Sequence, residues 1–269
     1  PVVYHLRKQK FVTLGSPDLP EWRFQEQRDA GIALAFTEEP YAQYQQWEGA
    51  AHKDLYAVNL ESGEKRQIVK DLRCKPRLSP DAGYILWWNE PDSAWYAWNA
   101  QKNTTARLTD NRAARFFDEK SDTPDFPDEY GVAGWLKDDE ALFVYDRFDL
   151  WQIDPNGKKT PKRLTQGRES RTTYRYLRLD PEERSFAPDA RLLLHRFNET
   201  TKAEGYAWLD LKSGTLTPWL EGDFAYSKSP LKASKADALV FTRQNYHTFP
   251  DLLYTLLPRS SNFKLKTSN

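Results

Sequence analysis

The chain has 269 residues, with 39 basic and 39 acidic side chains and a formal net charge of zero. A balanced charge provides no long-range attraction for phosphates, which argues against a nucleic acid or an anionic membrane surface as the partner. The single cysteine, Cys74, excludes an internal disulfide and a thiolate metal cluster. No apolar run approaches the roughly 18 residues of a membrane span. Aromatic residues make up 14% of the sequence, and such large flat side chains favour β-sheets.

The first predicted element is a strand pair in residues 2–14, "VVYHLRKQKFVTL". An apolar strand, "GIALAF", follows at 31–36, and we take it as the first strand of the first complete unit. Residues 54–69, "DLYAVNLESGEKRQIV", then show an aromatic strand, a polar turn that contains glycine, and a second strand that ends near Leu or Val. This order is typical of a β-hairpin.

The hairpin pattern recurs along the chain. Full copies lie at 94–109, 149–165 and 205–220, and a weaker copy lies at 251–265. The aromatic anchors of these copies recur every 40 to 55 residues: Tyr4, Tyr56, Tyr96, Trp151, Tyr206 and Tyr254. Most anchors are preceded by a turn and an apolar strand, at 79–88, 136–145, 187–196 and 234–243. With a first strand ahead of these, each unit contains four strands.

A repeat of this length with four short strands is the signature of a β-propeller blade, whose sheet buries both faces only when neighbouring blades stack on it. We therefore predict an all-β fold, a β-propeller of about five four-stranded antiparallel blades plus a partial one, with residues 1–269 in one propeller domain. A β-sandwich is the competing interpretation, but it would not repeat this order of elements. Tryptophans at equivalent strand positions are predicted to lie in the core: Trp87, Trp88, Trp95, Trp98, Trp135, Trp151 and Trp208.

One insertion, "FFDEKSDTPDFPDEYG" at 116–131, interrupts the repeat. Its carboxylates are Asp118, Glu119, Asp122, Asp125, Asp128 and Glu129. Carboxylate oxygens suit a cation or a substrate amine, but the spacing fits no calcium loop, and Pro124 and Pro127 indicate a stiff surface loop. We predict a solvated structural loop, keep these six carboxylates as the candidate substrate or partner contacts, and predict no metal site. A second long loop is predicted at 38–53.

Sequence motifs for catalysis are absent from the chain. It contains no Gly-x-Ser-x-Gly nucleophile elbow and no Gly-rich phosphate loop. The histidines His5, His52, His195 and His247 are scattered and match no metal-binding spacing. For His195 and His247 we therefore predict packing or hydrogen bonding rather than base catalysis, and we predict no cofactor.

Two stretches resemble a known family. Residues 116–158 closely resemble the non-catalytic propeller of bacterial peptidases of the prolyl oligopeptidase family, and 241–255 with 260–269 resemble the last blade of that propeller. In that family an α/β-hydrolase domain with a Ser, Asp and His triad follows the propeller, which screens the peptides that reach it. The resemblance implies a propeller fragment without its α/β-hydrolase domain, and an exported protein. Members of the dipeptidyl-peptidase type hold the amino terminus of the substrate with a pair of glutamates. Glu38 and Glu39 are only a weak match to that pair.

The leading hypothesis is therefore a non-catalytic propeller portion of a prolyl oligopeptidase-like serine peptidase, which gates peptide access to a catalytic domain. Its expected partners are peptide substrates and the hydrolase domain in cis. An incomplete ring would also leave blade faces open to self-association. One alternative is a free-standing TolB-like propeller that acts as a protein-interaction scaffold. Another is a glycan-binding or glycan-cleaving propeller, based on the aromatic and acidic content.

Overall fold

The structure is a computed structural model that describes residues 1–25, 31–257 and 264–265. Its strands form separate sheets in which all the pairings between strands are antiparallel. The chain divides into two compact units. Unit 1 comprises Pro1–Glu129, Asp138–Glu140 and Asp154–Thr160, and unit 2 comprises Tyr130–Lys137, Ala141–Ile153 and Pro161–Asn269. None of the helices in the described residues is long and apolar enough to cross a membrane.

Unit 1 contains a two-stranded hairpin and two four-stranded sheets, which we number blade 1 and blade 2. The hairpin strands are β1 (Val2–His5) and β2 (Lys10–Thr13). Blade 1 comprises β3 (Glu21–Arg23), β4 (Ile32–Thr37), β5 (Lys53–Asn59) and β6 (Lys65–Leu72). Blade 2 comprises β7 (Arg77–Leu78), β8 (Tyr84–Asn89), β9 (Ala94–Asn99) and β10 (Thr104–Arg107). A 3-10 turn at Glu39–Tyr41 and helix α1 (Ala42–Glu48) connect β4 to β5.

Unit 2 contains blades 3, 4 and 5. Blade 3 comprises β11 (Val132–Trp135), β12 (Leu142–Tyr145), β13 (Leu150–Ile153) and β14 (Lys162–Arg163). Helix α2 (Gly167–Ser170) leads into blade 4, which comprises β15 (Thr172–Tyr176), β16 (Arg191–Asn198), β17 (Glu204–Asp210) and β18 (Leu216–Gly222). Blade 5 comprises β19 (Ala225–Tyr226), β20 (Leu231–Lys232), β21 (Ala238–Asn245), β22 (Thr248–Leu256) and β23 (Lys264–Leu265). A 3-10 turn spans Lys137–Asp139 between β11 and β12.

The predicted repeat of four-stranded antiparallel sheets with an extra N-terminal strand pair is confirmed. Two details of the prediction were wrong. The stretch "GIALAF" is the second strand of blade 1, because β4 pairs with both β3 and β5. The predicted loop at 38–53 contains helix α1. That residues 1–269 form one domain stays a prediction.

Asparagine and aspartate side chains explain why the strands turn where they do. The last residues of several strands accept a backbone N–H from the following turn at 2.8 to 3.0 Å, which closes a local ring that favours a tight reversal. These residues are Asn59, Asn89, Asn99, Asn198, Asp210 and Asn245. The turn positions therefore follow from local sequence.

The repeated "RLT" segments have the same structural role in blades 2 and 3. The hydroxyl of Thr109 accepts the backbone N–H of Trp95 at 2.9 Å, and the hydroxyl of Thr165 accepts that of Leu150 at 3.0 Å. Both threonines are buried. Each hydrogen bond joins the segment after the fourth strand to the third strand of its blade, so the sequence repeat corresponds to a repeated contact.

Within each unit, the hydrophobic core lies between consecutive sheets. In unit 1, one cluster joins blade 1 to blade 2 and includes Leu34, Leu55, Ile85 and Trp87. In unit 2, one cluster joins blade 3 to blade 4, and another joins blade 4 to blade 5. The seven tryptophans predicted to be core are each at most 8% exposed. Stacking thus buries the apolar faces that a single sheet would expose.

Candidate functional site

The acidic loop, residues 116–131, is anchored at its base in unit 1. Phe116 is fully buried, and Phe117 forms an isolated antiparallel bridge with Glu129. Within the loop, the backbone N–H of Asp118 donates to the carbonyl of Asp128 at 2.7 Å. The two ends of the loop are therefore held together, and the residues between them project to solvent.

Arg73, which follows β6, contacts the exposed part of the loop. Its guanidinium donates two hydrogen bonds to the Asp125 carboxylate, at 3.0 and 2.8 Å, and its carbon lies 5.8 Å from the centre of the Phe126 ring. Arg73 Nε also lies 3.2 Å from Glu90 Oε2. The hydrogen bonds from Arg73 lower the pKa of Asp125 to about 2. Asp125 is therefore charged at neutral pH and forms an ion pair with Arg73.

A weaker contact joins the end of the loop to blade 2. Arg77 Nη2 lies 3.5 Å from Glu129 Oε1. Burial raises the pKa of Glu129, and burial also raises the pKa of Glu90, because desolvation disfavours the charged carboxylate. The loop is thus held by two arginine contacts, a bidentate one from Arg73 in the segment between blades 1 and 2 and a long one from Arg77 in blade 2.

The six predicted site carboxylates lie on one loop, but several of them already form ion pairs or hydrogen bonds within the chain. Asp125 and Glu129 pair with arginines, Asp118 accepts the backbone N–H of Lys120 at 2.9 Å, and Glu119 lies 3.9 Å from Arg115. Asp122 and Asp128 are exposed. Contact of these carboxylates with a substrate or partner stays a prediction. In the described ranges, no group of three or more His, Cys, Asp or Glu side chains is placed to hold a metal ion.

Arg77 also lines a groove in unit 1 that the sequence analysis missed. The groove has a volume of about 560 Å³ and lies between β3 of blade 1 and β7 of blade 2. Its lining residues are Trp22, Arg23, Phe24, Gln25, Leu34, Lys75, Pro76, Arg77 and Leu78. The Trp22 and Phe24 rings stack with centres 6.0 Å apart. One signal was present in the sequence, since the cations Lys75 and Arg77 lie close together where the chain enters blade 2.

The remaining ionisable groups considered in the sequence form structural contacts. His195 is buried, and its Nε2 lies 3.1 Å from Glu204 Oε2, which also accepts the backbone N–H of Tyr226 at 2.9 Å. Burial lowers the pKa of His195. This is the packing and hydrogen-bonding role predicted for His195, whereas the side chain of His247 is exposed. Burial raises the pKa of Cys74 to about 12, and its sulfur accepts the backbone N–H of Trp88 at 3.3 Å.

The glutamate pair before α1 is not equally available to a ligand. Glu38 accepts a hydrogen bond from Gln45 at 3.0 Å and from Lys53 at 3.2 Å. The hydrogen bond from Gln45 is the main reason that the pKa of Glu38 is lowered. Glu39 is exposed at the start of the 3-10 turn. Since one carboxylate is occupied and the other is open, the arrangement gives no support to a paired amine site.

No protein family model matches the sequence, and no curated protein matches it. Dipeptidyl peptidase 4 of Porphyromonas gingivalis is similar in structure, with a TM-score of 0.51, 11% identity, and coverage of 89% of this chain and 38% of that protein. A Bacteroides ovatus protein described as a dipeptidyl aminopeptidase IV also scores 0.51, with 9% identity and coverage of 80% and 32%. TolB of Acinetobacter baumannii scores 0.40, with 13% identity and coverage of 99% and 64%.

The chain spans about a third of the length of the two peptidases. At 9 and 11% identity, the likeness establishes the fold and does not extend to activity. Together with the repeated four-stranded antiparallel sheets, it shows that the chain has the all-β fold of a propeller.

Proposed function

We propose that this chain is the non-catalytic propeller portion of a prolyl oligopeptidase-like serine peptidase, and that it controls which peptides reach a catalytic domain outside this sequence. The observation that carries the proposal is the structural likeness of 89% and 80% of the chain to two dipeptidyl peptidases, each with a TM-score of 0.51. The resemblance of residues 116–158 to the same family agrees with the proposal. We further propose that the partner hydrolase domain lies in cis and that the whole protein is exported.

The chemistry of the chain supports a role in recognition rather than in bond cleavage. The sequence has no nucleophile elbow. Its buried histidine, His195, contacts Glu204 and packs edge-on against the Tyr206 ring, and these contacts supply no nucleophile. The stacked sheets instead provide a rigid support for the loop at 116–131 and for the groove beside Arg77, and such supported loops are where proteins commonly bind ligands.

The test uses the native protein and the 269-residue chain side by side. Antibodies raised against the chain are used to isolate the native polypeptide, which is then exposed to a fluorophosphonate probe that labels activated serines. We expect the native polypeptide to exceed the 31.4 kDa of this chain, to be labelled, and to hydrolyse peptides. The isolated chain should remain unlabelled under the same conditions.

Heat-denatured native protein is the control for non-specific labelling. A native polypeptide that stays unlabelled and inactive on peptides would overturn the proposal and favour an interaction scaffold. Labelling of the isolated chain would also overturn the proposal that this chain is non-catalytic, because the reactive serine would then lie within this sequence.

A further inference from the structure

The groove between β3 and β7 has features that the proposed function does not use. Its volume of about 560 Å³ is in the range of small-ligand and peptide-binding pockets. The groove lies entirely within unit 1 and is open to solvent along the first strands of blades 1 and 2. The amide of Gln25 closes one side by donating to the Ser79 carbonyl at 2.7 Å. The groove is therefore bounded by residues of two blades and, on one side, by Gln25.

The first strands beside the groove present backbone groups to it. In the described residues, β3 pairs with β4 alone, and β7 pairs with β8 alone. Each of these strands therefore has one edge without a strand partner. A free edge offers N–H and C=O groups at the spacing of an extended peptide, which is the basis of recognition by strand addition.

Two cations of the groove form no ion pair. In the part of the chain that the structure describes, neither Arg23 nor Lys75 lies within ion-pair distance of a carboxylate, whereas Arg77 lies 3.5 Å from Glu129 and 6.0 Å from the centre of the Trp95 ring. The guanidinium of Arg23 lies 5.7 Å from the centre of the Phe36 ring, which orients it without neutralising it. Two uncompensated positive charges therefore flank the groove.

The surroundings favour a peptide over a nucleic acid. The zero net charge of the chain supplies no general attraction for phosphates. Glu129 of the acidic loop also lies 3.5 Å from Arg77. A polyphosphate that followed the groove past Arg77 would meet this like charge, whereas a short peptide needs only two or three carboxylates near Arg23 and Lys75.

We infer that this groove binds a peptide segment in extended conformation that carries carboxylate side chains. The peptide backbone pairs with the free edge of β3, alternate apolar side chains pack on Trp22 and Phe24, and carboxylates contact Arg23 and Lys75. The inference rests on the proposed function in that it names the class of peptide the propeller admits. Its test measures binding rather than hydrolysis, so either proposal can fail while the other stands.

The experiment measures binding of fluorescein-labelled octapeptides to the 269-residue chain by fluorescence anisotropy. One peptide alternates valine with glutamate, and its matched partner alternates valine with glutamine. We expect the glutamate peptide to bind more tightly, and its binding to weaken as salt is raised, because salt screens exposed charges. The double variant Arg23→Gln with Lys75→Gln should weaken its binding about tenfold, the combined effect of two exposed ion pairs.

A matched control removes the same charges elsewhere in unit 1. Arg7 and Lys70 are exposed and do not line the groove, so Arg7→Gln with Lys70→Gln should change the affinity by less than about twofold. Thermal unfolding of each variant shows whether the fold is retained. Lys75→Glu alone gives a second variant that reverses one charge and should weaken binding more than Lys75→Gln.

Three results would overturn the inference. The first is equal affinity for the glutamate and glutamine peptides. The second is unchanged affinity in a folded Arg23→Gln and Lys75→Gln variant. The third is displacement of the glutamate peptide by an oligouridylate that itself binds more tightly, which would assign the groove to nucleic acid. None of these results depends on labelling by the fluorophosphonate probe.

Discussion

At the residue scale, buried ionisable side chains are stabilised by groups from other parts of the chain. Asp139 is 4% exposed, and its carboxylate accepts the Ser79 hydroxyl at 2.5 Å and the Gly83 backbone N–H at 3.0 Å. Burial raises the pKa of Asp139, and its hydrogen bonds oppose that shift. His195, on β16, is also buried and contacts Glu204, the first residue of β17. Because charged forms are costly to bury, such groups make the free energy of unfolding depend on pH.

His195 leads to a prediction about pH. Burial holds its folded-state pKa below the ordinary value of about 6.5, while Glu204 opposes the shift and Lys228 adds to it. The unfolded chain therefore binds the proton more readily, and the free energy of unfolding should fall as the pH drops below about 6.5. One proton contributes a slope of at most about 1.4 kcal/mol per pH unit. Urea unfolding from pH 8 to pH 5 measures it.

The variant His195→Gln should show a flatter pH dependence over the same range, whatever its absolute stability. His247→Gln is the control, because His247 is exposed and should leave the slope unchanged. Equal slopes for His195→Gln and the parent chain would contradict the assignment of this pH dependence to His195.

At the element scale, each blade is defined by local turns, but the long loop at 116–131 depends on residues from elsewhere. The loop has no helix or regular strand of its own and is positioned by Arg73, by Arg77 and by its own base. Surface ion pairs usually contribute little, but a bidentate arginine pair fixes geometry as well as charge. We therefore attribute the position of the loop chiefly to the pair of Arg73 with Asp125.

Replacing Asp125→Asn should loosen the loop, because the neutral amide cannot form the charge-assisted bidentate pair with Arg73. Limited digestion with trypsin should then cleave after Arg115 or Lys120 about threefold faster or more, as local opening becomes more frequent. Peptide mass analysis identifies the cleaved bonds. Because the pKa of Asp125 is lowered to about 2, the pair is retained above about pH 4 and lost only as the pH falls towards 2.

The control for this prediction is Asp122→Asn, which removes an exposed carboxylate from the same loop. It should leave the cleavage rate unchanged. Equal rates for the two variants would show that the base of the loop, rather than Arg73, holds it in place.

At the scale of the whole molecule, apolar side chains remain exposed at the first hairpin of unit 1 and at blade 5 of unit 2. In the hairpin they are Val2, Tyr4, Leu6 and Phe11, and in blade 5 they are Leu231, Phe249, Leu252 and Leu256. Leu252 and Leu256 lie on one face of β22, opposite the buried Leu253. In blades 3 and 4 the equivalent faces are covered by a neighbouring sheet. Exposed apolar surface of this kind favours association.

We therefore predict that the isolated 269-residue chain self-associates in a concentration-dependent manner. Sedimentation velocity should show species larger than 31.4 kDa as concentration rises. The variant Leu252→Lys with Leu256→Lys should weaken association about tenfold or more, since each leucine buried at an interface contributes about 1.5 to 3 kcal/mol. Trp47→Lys, at an exposed position on α1, is the control and should have no effect. A single 31 kDa species at every concentration would contradict the prediction.

The sequence by itself determined the repeat of strands, the turns and the core tryptophans, because all three follow from short-range patterns. The alternation of residues selects the buried face of a strand, and residues such as Asn59 and Asn99 close turns with their own neighbours. The very short first strands were harder to predict, since β7 has only two residues and too few positions to show alternation.

Only the tertiary structure decided which side chains meet across blades. Arg73 and Asp125 are 52 positions apart, and Ser79 and Asp139 are 60 apart. The acidic loop is evident in the sequence, but the arginines that hold it and the groove beside them are not. Periodicity specifies which face of a strand is buried, whereas these contacts depend on how separate sheets stack and on where each loop then lies. That stacking brings together residues that are far apart in the sequence, and the local sequence pattern does not indicate which residues will meet.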